Sequence, residues 1–227
     1  MNFLSSPSSG NDLTPAITCV PVGFLAANCY LVVCPQTGDA LVIDPGAEPD
    51  RIIESIQTIG CHITMIVHTH GHFDHISATE AILASFTQTV PLAAHAADAP
   101  YYQREVRAMG LRYGYDVPDL LAVPDQQMSE GDEIQIGNLQ MTVIHTPGHT
   151  PGSISLLCGS SCIFTGDTLF RHGIGRTDLA GGDEEAIYAS ILTRLYPLAE
   201  ALTVFPGHGP QTTIGEERQA NPFVQAR

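Results

Sequence analysis

Short apolar runs alternate with longer amphipathic stretches along most of the chain. Eight runs rich in Val, Ile and Leu, bounded by Gly, Pro or Asp, predict strands at 17–20, 29–33, 40–43, 63–67, 133–136, 139–144, 153–157 and 161–164. Helical spacing predicts helices at 49–59, 76–86, 96–109, 184–195 and 215–219. In the first of these Ile52, Ile53, Ile56 and Ile59 form one stripe. Pro49 suits its opening turn and Gly60 its stop. Gln36-Thr37-Gly38-Asp39 and Gly159-Ser160 signal hairpins. Strands interleaved with helices read as an α/β fold. The stretch 100–129 is the least regular; it holds four of the seven Tyr and reads either as a packed connector or as a wall over a site.

Size and charge narrow the field. At 227 residues the chain is one large domain or two small ones, and 44% hydrophobic content supplies a sizeable core. No linker or repeat divides it, so residues 16–227 read as a single domain behind a disordered tail, 1–15, rich in Ser, Pro and Gly. Acidic residues outnumber basic ones 24 to 9, for a net charge of -15. All nine basic residues are Arg. Such a surface repels nucleic-acid phosphates and anionic membranes, so neither is an expected partner. No apolar run approaches the roughly 18 residues that span a bilayer. The N-terminal segment lacks the basic and apolar regions of a secretory signal, which makes a cytoplasmic location the expectation. The six Cys form no CxxC pair and read as reduced, mostly buried thiols.

Chemistry concentrates in one place. In Thr69-His70-Gly71-His72-Phe73-Asp74-His75, three His and one Asp fall within six residues, between a strand-like run and a helix-like one. In extended backbone, residues i and i+2 point to one side, so His70 and His72 can grip one ion. Asp74 and His75 lie where the chain turns into the helix and project differently, toward a second ion. A structural zinc site is disfavoured because no Cys lies nearby. His68 would complete an alternative pair with His70, but no Asp-His follows at the matching offset.

This pattern resembles the HxHxDH signature of the metallo-β-lactamase superfamily. Downstream, Thr146-Pro147-Gly148-His149-Thr150 resembles that family's third-histidine loop, Thr165-Gly166-Asp167-Thr168 its bridging-aspartate strand end, and Phe205-Pro206-Gly207-His208-Gly209 its last-histidine segment. Asp44-Pro45-Gly46 resembles the motif whose Asp supports the ligands. The closing run GPQTTIGEERQANPF is similar to short glyoxalase II-like hydrolases. The resemblance implies a four-layer αββα sandwich, two mixed sheets with helices on the outer faces. It implies two divalent cations, zinc first, with iron or manganese suited to the same ligands. His70, His72 and His149 would hold one, and Asp74, His75 and His208 the other. Asp167 would bridge them, with a hydroxide completing the bridge.

The same resemblance implies hydrolysis of a thioester such as S-D-lactoylglutathione to a hydroxy acid and a thiol, in methylglyoxal detoxification. Asp74 and Asp167 would be its catalytic carboxylates. A thiolate leaves readily, since thiols ionise near pH 8.5, so the leaving group needs no protein acid. Arg176, in Gly173-Ile174-Gly175-Arg176-Thr177-Asp178, resembles a residue flanking the substrate and suits a carboxylate, though a surface ion pair would use it equally well. His172 is expected at the site mouth. His145 reads as a core residue or one that supports a ligand from behind, and His62 and His95 as surface ones. Glyoxalase II proper carries a C-terminal helical domain that binds glutathione; only nineteen residues follow His208 here. The competing reading is a mononuclear iron dioxygenase acting on a persulfide, with His70 or His72, His149 and Asp167 as its triad.

Overall fold

The computed structural model describes residues 14–102, 105–115, 117 and 122–225; residues 1–13 of the expected tail lie outside them. One six-stranded sheet runs in order β1 (Ala16–Val22), β2 (Ala27–Val33), β3 (Asp39–Ile43), β4 (His62–Val67), β5 (Leu92–His95) and β6 (Gln126–Met128). Its first three strands pair antiparallel and the rest parallel. The second sheet is built from β7 (Glu133–Ile136), β8 (Leu139–His145), β9 (Ile154–Cys158), β10 (Cys162–Gly166), β13 (Thr203–Pro206) and β14 (Thr212–Thr213), in the order β14-β13-β10-β9-β8-β7. Only β10 and β13 are parallel neighbours there. A small ribbon, β11 (Leu169–Phe170) with β12 (Gly173–Ile174), follows β10. The helices are α1 (Pro49–Ile59), α2 (Phe73–Ile76), α3 (Thr79–Ser85), α4 (Glu105–Arg112), α5 (Glu184–Ser190) and α6 (Ile214–Ala220).

Alternation along the strands builds the layers. Val32, Leu41 and Ile43 from the first sheet meet Met141, Val143, Leu156 and Phe164 from the second, forming the core between the sheets. Their neighbours Leu31, Val33 and Val42 face the other way, onto Ile52 and Ile56 of α1 and Ile82 of α3. On the far side Ile144, Ile163 and Val204 pack on Ile187 of α5 and Ile214 of α6. Each middle strand is thus buried on both faces, which is why these runs are apolar throughout and not alternating. The four-layer α/β arrangement expected from the sequence is the one observed.

Several boundaries differ from expectation for local reasons. Gly60 closes α1 at φ 71°, as predicted, but Ile59 faces a solvent-open groove and is exposed. The helix predicted at 76–86 begins three residues earlier and then breaks. The Ser77 hydroxyl donates to Phe73 O at 2.6 Å, and Ala78 N–H leaves the ladder for Pro45 O. The helix predicted at 96–109 is instead a 3₁₀ stretch, Ala96–Tyr102, followed by α4; Pro100 inside it removes a ladder donor. Strands β5, β6 and β13 were not anticipated, and β13 ends in a Pro that disguises it.

Candidate metal centre

The ligand candidates come from four strand ends. His70 and His72 follow β4, His149 follows β8, Asp167 follows β10 and His208 follows β13. Strands β8, β10 and β13 run in one direction, since two antiparallel steps separate β8 from β10 and a parallel one joins β10 to β13. Their C-terminal ends therefore share one edge, where ligands of open sheets collect. Asp74 and His75 lie within the single turn of α2, earlier in the helix than expected.

All seven side chains converge. His70, His72 and His149 present ring nitrogens within 4.8 Å of one another, as do the ligand atoms of Asp74, His75 and His208. Asp167 lies between the groups. Its Oδ2 is 3.5 Å from Nε2 of both His149 and His208, and its Oδ1 is 3.4 Å from His75 Nε2. Within the groups, His72 Nδ1 stands 2.8 Å from His149 Nε2 and His75 Nε2 stands 3.2 Å from His208 Nε2. All but His208, which is half-buried, are buried.

Four of the five rings are oriented from behind. His75 Nδ1–H donates to Asp44 Oδ2 at 3.1 Å. His70 Nδ1–H donates to Thr69 Oγ1 at 3.1 Å, and that hydroxyl donates onward to Asp44 Oδ2 at 2.6 Å. His149 Nδ1–H donates to Arg176 O at 2.7 Å and His208 Nδ1–H to Leu25 O at 3.1 Å. Each contact turns Nε2 inward, the usual arrangement behind metal-ligating His. Asp44 stands at φ 52° and is almost wholly buried, where the sequence placed a supporting carboxylate.

The residues fit a metal pair on their own evidence of need. His70 Nε2 and Asp167 Oδ1, which face the ligand groups, are buried and make no hydrogen bond. Such orphans cost about 1–3 kcal/mol each unless something satisfies them. Burial and adjoining rings hold His70 and His72 well below the ordinary imidazole pKa, so both are neutral donors of lone pairs. Burial opposes charge on His75, yet Asp167, Asp74 and Asp44 outweigh it and lift its pKa to about 10. Burial likewise works against ionised Asp74, but His75 and His208 hold its carboxyl well below the usual range. Carboxylates here call for positive charge beside them. These His/Asp groups are suited to divalent metal ions.

The centre opens into a cavity of about 350 Å³. His72, Asp74, His149, Asp167 and His208 form its floor, and Leu25, Phe73, Phe170, Ile174 and Leu179 its apolar walls. Arg176 and Tyr113 also line it. Arg176 Nε and one terminal nitrogen engage both oxygens of Asp178 at 2.8 Å, and the other terminal nitrogen donates to Tyr113 Oη at 3.2 Å. The surface ion pair and the site-lining position thus coexist. His172 does not line the cavity: it is exposed at φ 55°, with its N–H bound to Glu217 Oε2 at 2.9 Å, so the expectation of a mouth residue is not met. His145 is half-buried and stacks on His95 at 4.2 Å, outside the core. His68 is buried between Tyr102 Oη and Thr79 Oγ1, away from the ligand groups. In the irregular stretch, Tyr101, Tyr102 and Tyr115 are packed in a core cluster while Tyr113 reaches the cavity, so both sequence readings hold in part.

Two supporting residues were missed. Asn28 Nδ2 donates to Pro206 O at 3.0 Å and Gly209 O at 2.9 Å, and Tyr30 Oη donates to Pro206 O at 2.7 Å. Together they tie the His208 loop to the first sheet. The available signal was a buried Asn and Tyr inside the apolar run NCYLVVC.

A family model described as the metallo-beta-lactamase superfamily matches residues 22–208. The hydroxyacylglutathione hydrolase GloC of Haemophilus influenzae is 34% identical over 214 residues, covering 93% of this chain and 99% of that protein. Among solved structures, the BLEG-1 B3 metallo-beta-lactamase superposes with a TM-score of 0.85 at 33% identity, over 93% of this chain and 100% of that one. TTHA1623, solved in a di-iron-bound form, gives 0.82 at 36% identity, over 91% and 100%. ETHE1 from Myxococcus xanthus gives 0.74 at 28% identity, over 91% and 83%. With the ligand motifs, the layered sheets and the family match in agreement, this chain belongs to the metallo-β-lactamase superfamily.

Proposed function

We propose that this protein is a dinuclear metal-dependent thioester hydrolase of the glyoxalase II type, releasing a hydroxy acid and a free thiol. The observation that carries this reading is Asp167, whose two carboxylate oxygens face ring nitrogens of both ligand groups at 3.4–3.5 Å. A shared carboxylate on a cavity floor suits two adjacent ions acting on one carbonyl. The similarity to the hydroxyacylglutathione hydrolase GloC and to the di-iron form of TTHA1623 lends support.

When bound, divalent ions of this kind supply a hydroxide at neutral pH and a positive charge that polarises the carbonyl. The chain's own part is to hold and to orient. His70, His72 and His149 would hold one ion, Asp74, His75 and His208 the other, and Asp167 both. Asp74, kept ionised beside His75 and His208, lines the cavity where it can accept a hydrogen bond from the nucleophile and orient it. The apolar walls exclude bulk water from the acyl group. The sulfur departs as thiolate without an acid, which favours a thioester over an amide. Arg176, which lines the cavity, would pair with a carboxylate of a glutathione-linked thiol. We assign zinc first, with iron or manganese compatible, and a cytoplasmic setting in which the six free thiols stay reduced.

One observation favours a second reading. His70, His72 and His149 form a complete group that Asp167 also touches, and a mononuclear iron persulfide dioxygenase would need only members of that set. Metal quantitation with two assays separates the readings. Two ions per chain and hydrolysis of S-D-lactoylglutathione support the hydrolase. One iron per chain and oxygen uptake on glutathione persulfide overturn it.

A further inference from the structure

Asp98 is a fully buried carboxylate that neither lines the cavity nor belongs to either ligand group. It lies in the 3₁₀ stretch after β5. Its Oδ2 accepts the N–H of Gly71 and the hydroxyl of Thr150, both at 2.8 Å, and its Oδ1 accepts the N–H of Gly152 at 2.6 Å. Gly71 stands between His70 and His72, and Thr150 follows His149. One side chain therefore bonds both loops that carry the first ligand group, from 27 residues away on one side and 52 to 54 on the other.

The fit is close. A Cβ on Gly152 would fall 2.6 Å from Asp98 Cγ, and one on Gly71 would fall 3.4 Å from Asp98 Cβ. All three partners present hydrogens, so only an acceptor-rich group satisfies them. An amide in its place would turn an N–H toward Gly71 N–H or toward Gly152 N–H, whichever way it rotated. The His208 loop is tied separately, by Asn28 and Tyr30.

We propose that Asp98 is a positioning residue that sets the separation of the His70–His72 loop from the His149 loop, and through it the affinity of that ion site alone. The proposal rests on the reading of these side chains as metal ligands. Partners of this kind, standing behind ligands, typically change metal affinity 10–100-fold when removed. Thr150 contributes one of the three bonds, so its loss acts in the same direction with smaller size.

The test is chelator titration of full-length protein loaded with Co²⁺, followed by absorbance, in wild type, Asp98→Asn and Thr150→Val. Reference spectra from His72→Ala and His208→Ala identify each ion. The expected result is that Asp98→Asn gives up the His70–His72–His149 ion at roughly 10-fold or more lower chelator concentration. Thr150→Val does so severalfold, and the other ion leaves where it does in wild type. A general loosening of the fold would release both ions in parallel, and that result overturns the proposal. So does wild-type chelator resistance at both sites in either folded variant. If Asp98→Asn does not fold, Thr150→Val, which keeps both backbone bonds, decides alone. Wild-type protein that binds no Co²⁺ overturns the metal reading itself, a failure distinct from uniform resistance among loaded variants.

Discussion

Asp44 receives the Nδ1 proton of His75 on the same oxygen, Oδ2, that accepts the Thr69 hydroxyl, while its Oδ1 takes the Thr69 N–H at 2.7 Å. One carboxylate thus fixes the tautomer of His75 directly and that of His70 through Thr69. Asp44→Asn keeps the left-handed backbone, which Asn tolerates, but sets an amide against one of these donors. We expect metal affinity to fall about 10- to 100-fold with little change in the circular-dichroism spectrum. Competition with a zinc-sensitive dye measures it, and unchanged affinity would remove Asp44 from the support of the site.

Gly207 has no room for a side chain. A Cβ there would sit 2.1 Å from Asp167 Oδ1 and 3.0 Å from His75 Cε1. Gly207→Ala should therefore displace the shared carboxylate and behave like Asp167→Ala, with bound metal and activity lost together. Elemental analysis beside kcat/KM checks this; near-wild-type turnover in either variant would contradict the bridging role of Asp167.

Arg176 offers a cation to the cavity but shares it with Asp178. The pair is exposed, so water and salt screen it and it holds the guanidinium only weakly. Arg176→Ala should raise KM for a glutathione thioester about 3- to 10-fold and leave kcat within about twofold. KM for a thioester without carboxylates should not move. Equal KM changes for both substrates would show that Arg176 shapes the wall and does not read the charge.

His68 is buried between two hydroxyls, and burial lowers its pKa to about 4. Because the folded value lies below the unfolded one near 6.5, the unfolded state binds the proton first on acidification. The stabilisation is complete above pH 6.5 and is lost as pH falls toward 4, by roughly 3 kcal/mol at most. In metal-free protein, urea midpoints should drop more steeply over this window for wild type than for His68→Gln. Parallel slopes would mean that His68 titrates normally.

The convergence of the candidate ligands was legible because each lies in a short contiguous motif at a strand end, and a motif survives without knowledge of the fold. The layers were legible because central strands buried on both faces must be apolar throughout. What escaped notice was lone residues acting over long sequence distance. Asp98 sits in an unremarkable HAADA segment, and only the close approach of two loops gives it three donors. Asn28 stands just before the strand predicted at 29–33, and nothing local marks its partners 178 and 181 residues away. His172 misled for the opposite reason: it is near Asp167 in sequence, but a left-handed turn and the bond to Glu217 direct it away.

The turn between β1 and β2 places Leu25 in two roles, for its side chain walls the cavity while its carbonyl takes the Nδ1 proton of His208. Cavity wall and candidate ligand are one mechanical unit there. Changes in the length or stiffness of this tip will move the wall and the His208 ring together, and altering the wall alone requires leaving that carbonyl in place.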